Sequence, residues 1–217
     1  MERLSQSELG LYDYICKSGL TNLILNLTVP YQAMLDEVTP LLDRFVEHRS
    51  TDGRGWKSLS LWGANSTTTT SDDSSDVSGY GWTGVSNMLP VAKHFFNTSF
   101  PCKPYRRIRY MLLEPNGFII EHRDAKTNKL DSAVNFCLSH SDKIESYLND
   151  YNISWRPGEA RLLNLTNKHY IIHNDQMLNR VHMIYHGVQQ NHNNPEWIRL
   201  VNESYKQHIR KEMKEIL

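Results

Sequence analysis

The sequence lacks an excess of charge of either sign, since 24 Lys and Arg residues balance 24 Asp and Glu residues among 217. Proteins that bind nucleic acids or anionic membranes usually concentrate positive charge, so neither partner is predicted. Long hydrophobic runs are missing as well: residues 23–29, the most apolar stretch near the N-terminus, contain Asn26 and are too short to span a bilayer. The partners of this chain therefore have to be inferred from a site.

Cysteine is scarce in this sequence. Cys16, Cys102 and Cys137 form no CxxC pair, and an odd number of cysteines cannot all be bridged. This composition argues against a disulfide-stabilised secreted domain and against a cysteine-rich metal cluster. We expect a reducing environment, and a cytoplasmic location is predicted.

Short apolar or alternating segments separated by turn residues make up most of the chain. They predict strands at residues 23–29, 56–62, 105–113, 117–121, 133–138, 160–165, 170–172 and 181–185, with turns at 115–117 and 156–158. Because these strands do not alternate with helices, the pattern favours an antiparallel sandwich or barrel over a parallel sheet. We expect a mainly β fold with flanking helices, forming one domain over residues 1–217.

Helical periodicity is confined to three places. Apolar residues recur at three- and four-residue steps over 31–45, where Pro40 is expected to kink the helix, and a second helix is predicted at 86–96. A C-terminal helix is predicted at 194–217, with Asn194 as its N-cap. Residues 64–84 are polar and read either as a disordered surface loop or as a lid whose aromatic end, around Tyr80 and Trp82, docks over the site.

The strongest chemical signal is a His-x-Asp pair at the end of a predicted strand. His122 and Asp124 are two residues apart, so both side chains are expected on one face of the chain. His169, at the start of a later predicted strand, can supply the third corner of a facial triad, an arrangement typical of non-haem Fe(II) sites. A three-histidine zinc site would leave Asp124 without a role.

Spacing alone does not single out this pair. The composition predicts roughly one His-x-acid match by chance, and the chain has two further matches, His140 with Asp142 and His173 with Asp175. The first pair is distinguished by its order in the chain, because it follows a clear strand and is followed by His169 and then by Arg180.

Arg180 begins another predicted strand, and its side chain indicates a cosubstrate that carries a carboxylate. A guanidinium can bind a carboxylate through two parallel hydrogen bonds, which Lys cannot do. A dicarboxylate that chelates the metal at one end and meets Arg180 at the other is 2-oxoglutarate. The sequence therefore predicts Fe(II), 2-oxoglutarate and O2 as cofactor and cosubstrates.

Several runs resemble the aspartyl/asparaginyl β-hydroxylase family of 2-oxoglutarate oxygenases. They are GWKSLSL at 55–61, RIRYMLLEPNG at 107–117 with the following HRD, RLLNL at 161–165, and the segment from His169 to residue 184. The resemblance spans about residues 55–187 and is closest to compact members from bacteria and phages. It implies a double-stranded β-helix, or cupin-like jelly roll, at 55–187, preceded by a strand and a helix in residues 1–50.

The resemblance also implies roles for individual residues. His122, Asp124 and His169 would be the metal ligands, Arg180 would bind the distal carboxylate of 2-oxoglutarate, and Asn135 and His182 would face the same cosubstrate. The usual pattern places an Asn and an Arg one residue nearer the distal His than Asn174 and Arg180 stand here. A one-residue bulge is therefore expected after His169, and His173 stays open as an alternative ligand.

The function predicted from these residues is hydroxylation of an amino-acid side chain, Asp-, Asn- or Pro-like, in a peptide or as the free amino acid. Two alternatives remain at this level. One is a β-barrel binding module in which the histidines are structural, and the other is a cupin-type metal enzyme without redox chemistry. Arg180 discriminates between the two metal readings, because a non-redox cupin enzyme needs no carboxylate clamp.

Overall fold

The structure, a computed structural model, describes residues 3–67, 78–103, 105–124, 133–187 and 193–216. Its helices are α1 (Gln6–Lys17), α2 (Tyr31–Val38), α3 (Pro90–Thr98) and α4 (Pro195–Ile216), with 3-10 turns at Thr39–Arg44 and Gly84–Met88. No helix in these ranges is both long enough and apolar enough to cross a membrane. The predicted helices at 31–45, 86–96 and 194–217 are confirmed, although the first two each include a 3-10 segment.

The strands follow the predicted antiparallel pattern. They are β1 (Asn22–Ile24), β2 (Val46–Glu47), β3 (Gly53–Gly63), β4 (Gly81–Trp82), β5 (Tyr105–His122), β6 (Ala133–Cys137), β7 (Ile144–Leu148), β8 (Tyr151–Asn152), β9 (Ala160–Leu163), β10 (His169–His173) and β11 (Arg180–Gly187). The main strand order is β1-β9-β6-β11-β5-β10-β7-β8, and β3 lies alongside β5.

The long strand β5 belongs to two layers at once. Its first half, up to Leu113, pairs with β11, and its second half, from Phe118 to His122, pairs with β10. One layer therefore reads β9-β6-β11-β5 and the other β5-β10-β7-β8. Side chains from both layers line one common cavity, so the layers face each other as a double-stranded β-helix.

The main hydrophobic core lies on the outer face of the first layer, beneath the helices. Phe96 and Phe100 of the α3 region pack against Phe136 on β6 and Tyr185 on β11, with ring centroids 4.6 to 6.4 Å apart. Trp197 of α4 is buried in the same cluster. The helices therefore cover the back of the layer that carries β11 and leave its inner face for the cavity.

The helix α1 was not among the elements predicted for residues 1–50. The Ser5 hydroxyl accepts a hydrogen bond from the Glu8 amide (3.2 Å), and the Glu8 carboxylate accepts one from the Ser5 amide (2.7 Å). This capping box begins the helix, and Tyr12 and Ile15 anchor it in the core. The predicted strand at 23–29 is shorter than expected, ending at Ile24.

The predicted turn at 115–117 was wrong, because β5 runs through it without a break. Asn116 takes a left-handed conformation (φ 58°), which bends the strand, and its carbonyl accepts a hydrogen bond from Arg54 (2.6 Å). The strands β7 and β8 were also not predicted. The signal was present in β7, where Ile144, Ser146 and Leu148 alternate inward.

Candidate active site

His122 and Asp124 lie where β5 ends. The Asp124 amide donates to the Leu165 carbonyl (3.1 Å), and the Arg123 side chain donates to the Thr166 carbonyl (2.9 Å). These two bonds attach the end of β5 to the segment that leads into β10. Arg123 therefore points away from its two neighbours and leaves His122 and Asp124 on the same side of the chain.

His169 pairs directly with His122 across β10 and β5, with ring centroids 4.2 Å apart. Asp124 lies between the rings: Oδ1 is 3.5 Å from Nε2 of His122, and Oδ2 is 3.6 Å from Nε2 of His169. One ligand atom from each of the three residues lies within 4.8 Å of the others. The structure thus brings together the three residues predicted as a facial triad.

The hydrogen bonds of the two imidazoles select the form that can bind a metal. Nδ1 of His122 contacts the Ile120 carbonyl (2.8 Å), and Nδ1 of His169 contacts the Asn167 carbonyl (3.0 Å). A carbonyl oxygen only accepts, so each Nδ1 carries the proton and each Nε2 presents a lone pair toward Asp124. Two neutral imidazoles and one carboxylate fit a mononuclear iron centre.

The electrostatics favour a neutral His122 and an ionised Asp124. Burial, followed by the charge of His169, lowers the pKa of His122. Burial alone would raise the pKa of Asp124, but its contacts with His169 and His122 hold that pKa below its ordinary value. The Asp124 carboxylate is therefore ionised at neutral pH, which favours binding of a divalent cation.

The alternative ligand His173 lies apart from this cluster. It is buried at the end of β10, and its Nδ1 accepts a hydrogen bond from the Asp175 amide (3.2 Å). Asp175 in turn accepts from the amides of Met177 and Leu178 (2.9 and 3.1 Å). This His-x-Asp match therefore forms the turn before β11.

The bulge expected after His169 is not in β10. This strand pairs with β7 in regular register from His169 to His173, and the irregularity against β5 places the extra residue on the β5 side. Asn174 is exposed and contacts Glu145 (3.4 Å) rather than the cavity. β10 therefore runs from His169 to His173 without the expected bulge, and Asn174 lies outside the cavity.

Arg180 begins β11 on the inner face of the first layer, and its side chain is 6% exposed. No carboxylate of the described residues forms an ion pair with it, and its Nε has no hydrogen-bond partner there. Burial lowers the pKa of this guanidinium to about 10, which leaves it charged at neutral pH. A buried charge is costly unless an anion compensates it.

His182 lies beside Arg180, which donates from Nη2 to its Nδ1 (3.2 Å). Nε2 of His182 therefore carries the proton, is fully buried and has no partner among the described residues. Cys137 and His140 are close enough to form a second possible metal cluster with His182. The protonated Nε2, the neighbouring guanidinium and the Cys137 thiol, whose pKa burial raises to about 12, make this cluster a poor cation site.

One cavity connects these groups. His122, Asp124, His169, Asn135, Arg180 and His182 all line it. The remaining walls are largely apolar, including Met111, Ile119, Trp155, Leu163 and Ile184. Ser146 and Tyr147 line it from β7, and they were missed because that strand was not predicted.

The aromatic end of the 64–84 loop docks, but not over this cavity. Trp82 in β4 pairs with Trp62 in β3, with ring centroids 5.4 Å apart, and it also contacts Tyr105 (5.9 Å). Trp62 faces the main core, so Trp82 packs on that side and is not among the cavity-lining residues. Of the two readings of residues 64–84, closure of the site by Tyr80 to Trp82 does not match this packing. Residues 68–77 lie outside the described ranges.

Among solved structures, the chain is similar to a 2OG-Fe(II) oxygenase family oxidoreductase from Burkholderia pseudomallei, at 12% identity, covering 88% of this chain and 97% of that one, with a TM-score of 0.49. It is also similar to a Pseudomonas putida prolyl-4-hydroxylase at 11% identity, 84% and 99% coverage and a TM-score of 0.45. A Trichoplax adhaerens prolyl hydroxylase, solved with a hypoxia inducible factor peptide fragment, matches at 12% identity, 84% and 91% coverage and a TM-score of 0.48.

No curated protein matches the sequence. The family model described as aspartyl/asparaginyl beta-hydroxylase matches residues 30–189, which include β5 to β11 and every residue of the candidate site. The match therefore covers well over half of the chain. The chain belongs to the aspartyl/asparaginyl β-hydroxylase family, and it is an oxygenase that uses Fe(II), 2-oxoglutarate and O2.

Proposed function

We propose that His122, Asp124 and His169 hold the Fe(II), and that Arg180, assisted by His182 and Asn135, binds the distal carboxylate of 2-oxoglutarate. The observation that carries this assignment is a charged, buried guanidinium on the wall of the same cavity as the triad. A site for an inorganic cation alone would not need it. A metal enzyme without redox chemistry is disfavoured for the same reason.

Each residue has a defined task in the proposed reaction. When bound, the iron couples oxidative decarboxylation of 2-oxoglutarate to the insertion of one oxygen atom into a C–H bond, releasing succinate and CO2. Arg180 offers two parallel N–H donors to the carboxylate, and the Nε2 proton of His182 offers a third. The Nδ1–H bonds of His122 and His169 fix their rings, so that Nε2 stays directed at the metal position.

The apolar walls have a separate task. Trp155, Leu163 and Ile184 surround the polar groups and exclude bulk water from them. A drier site strengthens the interaction between Arg180 and a carboxylate, because the effective dielectric constant is lower there. Oxidation is thereby limited to molecules that enter the cavity.

The substrate that we propose is an amino-acid side chain, Asp-, Asn- or Pro-like, in a peptide or as the free amino acid. Family membership supports this class. We further propose that residues 1–217 form a single oxygenase domain, since α4 packs on α1 through the bond from Trp197 Nε1 to the Tyr12 hydroxyl (3.1 Å) and both helices share the main core.

The proposal is tested by measuring succinate release from 2-oxoglutarate with Fe(II), across a panel of free amino acids and of peptides containing Asp, Asn or Pro. We expect succinate release to rise with one class, and the product mass to increase by one oxygen atom. Asp124→Ala should abolish this release, because it removes the only carboxylate of the triad. Full turnover in Asp124→Ala would contradict the ligand assignment.

A further inference from the structure

The structure contains a contact at Asp124 that the ligand assignment does not use. Nη1 of Arg49 donates to Oδ1 of Asp124 (3.1 Å), and Nε of the same guanidinium contacts Oδ2 of Asp52 (3.3 Å). Both Arg49 and Asp124 are about one-third exposed, at 33% and 32% of their side-chain surface. Ion pairs this exposed add little to stability, so the contact calls for another explanation.

The backbone around Arg49 is strained and firmly anchored. Arg49 has φ 49° in the turn between β2 and β3. This is a left-handed backbone conformation that residues other than Gly and Asn rarely adopt. The Asp52 amide closes the turn on the Arg49 carbonyl (2.8 Å), and the Asp52 carbonyl accepts from the Ile120 amide of β5 (2.8 Å). The turn is thus attached to the strand that ends in His122, and an arginine occupies a position that favours glycine.

The residue before Arg49 strengthens this anchorage. His48 is buried, its ring lies 4.4 Å from that of Trp56, and its Nδ1 contacts the Ser58 hydroxyl (3.2 Å). Trp56 lines the cavity, with its ring 6.0 Å from that of His122. The backbone that carries Arg49 is therefore held in place by contacts that do not involve Asp124.

We propose that Arg49 is a positioning residue for the metal centre, fixing the rotation of the Asp124 carboxylate by binding its Oδ1. Oδ2, the oxygen nearer His169, then remains directed into the triad. Asp52 holds the other side of the guanidinium and so fixes Arg49 itself. This inference rests on the proposed function, since it assumes that Asp124 is a ligand.

If Arg49 acted only through its charge, its removal would change metal affinity in the opposite direction from the change expected of a positioning residue. A cation beside the centre repels a divalent ion, so removing a charge that had no other effect would tighten metal binding. Removing a group that orients a ligand weakens metal binding, by about tenfold to a hundredfold in other metal sites. The sign of the change therefore identifies the role.

The test is the dissociation constant of Mn²⁺, without 2-oxoglutarate, measured from the loss of its free-ion EPR signal. Arg49→Asn is the informative variant, because Asn tolerates the left-handed backbone while removing the guanidinium. We expect its dissociation constant to rise about tenfold, with partial recovery in Arg49→Lys. Its thermal unfolding without metal should match wild type, which separates positioning from a folding defect.

Two further variants make the result unambiguous. Lys168→Asn removes one positive charge next to His169 in the chain, from a side chain that pairs with Glu121 (2.6 Å) and not with Asp124, so its metal affinity should equal or exceed wild type. Asp124→Ala tests the site itself and should weaken binding most. Unchanged or tighter binding in Arg49→Asn, with binding lost in Asp124→Ala, would overturn the role of Arg49 alone. Unchanged binding in Asp124→Ala would overturn the triad and, with it, this inference.

Discussion

Four histidines, three on the cavity wall and His173 at the end of β10, differ in the hydrogen-bond partner of Nδ1. In His122 and His169 it faces a carbonyl oxygen, so Nε2 is left with a lone pair. In His173 and His182 it accepts from an N–H group, so Nε2 carries the proton. Two of these imidazoles can therefore bind a metal and two can only donate. The hydrogen-bond partner, and not the spacing to a carboxylate, separates the proposed ligand histidines from the others.

His48 gives a prediction for stability against pH. Burial, followed by the charges of Arg109 and Arg49, lowers its pKa to about 3 in the folded protein, whereas the unfolded value is about 6.5. The unfolded chain binds the additional proton between these values, so this contribution is complete above pH 6.5 and is lost as the pH falls toward 3. Over this interval His48 contributes at most about 1.4 kcal/mol per pH unit to the change in unfolding free energy.

We therefore expect the unfolding free energy of His48→Asn to fall less steeply with acid than that of wild type, as measured by urea denaturation from pH 7 to pH 4.5. Asn retains an acceptor for the Ser58 hydroxyl, which limits other effects. His94→Asn, at an exposed position on α3, is the control and should give the wild-type profile. Parallel profiles for wild type and His48→Asn would contradict a lowered pKa of His48 in the folded protein.

At the level of elements, the continuity of β5 connects the two layers and delivers His122. This strand bends at Asn116 and Gly117 while keeping its pairing on both sides. A Cβ at Gly117 would lie 2.7 Å from the Glu114 carbonyl oxygen and 2.8 Å from that of Arg54. These neighbours are backbone atoms, so they can move only if the bend itself moves.

Gly117→Ala should therefore lower the unfolding free energy, by roughly 1–3 kcal/mol as for other overpacked sites. Because the bend orients the end of β5, the same variant should also weaken Mn²⁺ binding. Gly81→Ala is the matched control: Gly81 lies in β4, and a Cβ there would meet nothing within 4 Å. Thermal melts and the Mn²⁺ titration measure both effects, and equal stability of the two variants would contradict the role of the bend.

The elements that sequence periodicity predicted are those that bury a continuous apolar face. β6 and β9 are buried along their length, β11 is buried over its first four residues, and α4 presents Trp197 and Val201 to the core. The elements that it missed depend on other signals. α1 begins at a capping box, and β7 alternates around a polar residue, Ser146, that faces the cavity. The turn expected at 115–117 failed because pairing on both sides overrides the local preference of Asn116.

At the level of the whole molecule, the triad forms by strand pairing within one layer, and it shares a cavity with Arg180 because the two layers face each other. His122 and Asp124 could be recognised locally. The choice of His169 over His173 depended on which end of β10 lies opposite His122. Arg180 could be placed at a strand start, but its burial without a described carboxylate partner could not be foreseen. Arg49 was missed, since nothing local indicates that a turn between β2 and β3 reaches Asp124.

The buried guanidinium implies that the molecule gives up stability for binding. Replacing an uncompensated buried charge with an apolar side chain of similar length is often neutral or stabilising. Arg180→Met should therefore melt at or above the wild-type temperature without ligands. It should also lose the response to 2-oxoglutarate, because the partner of the distal carboxylate is gone.

The most direct test of the account is the melting temperature of wild type and Arg180→Met under anaerobic conditions with Fe(II), with 2-oxoglutarate, and with both. We predict that the two ligands together stabilise wild type beyond either alone, and that Arg180→Met keeps the response to Fe(II) but gains nothing from 2-oxoglutarate. A wild-type protein that 2-oxoglutarate does not stabilise further, or an Arg180→Met variant that responds fully to both ligands, would contradict it.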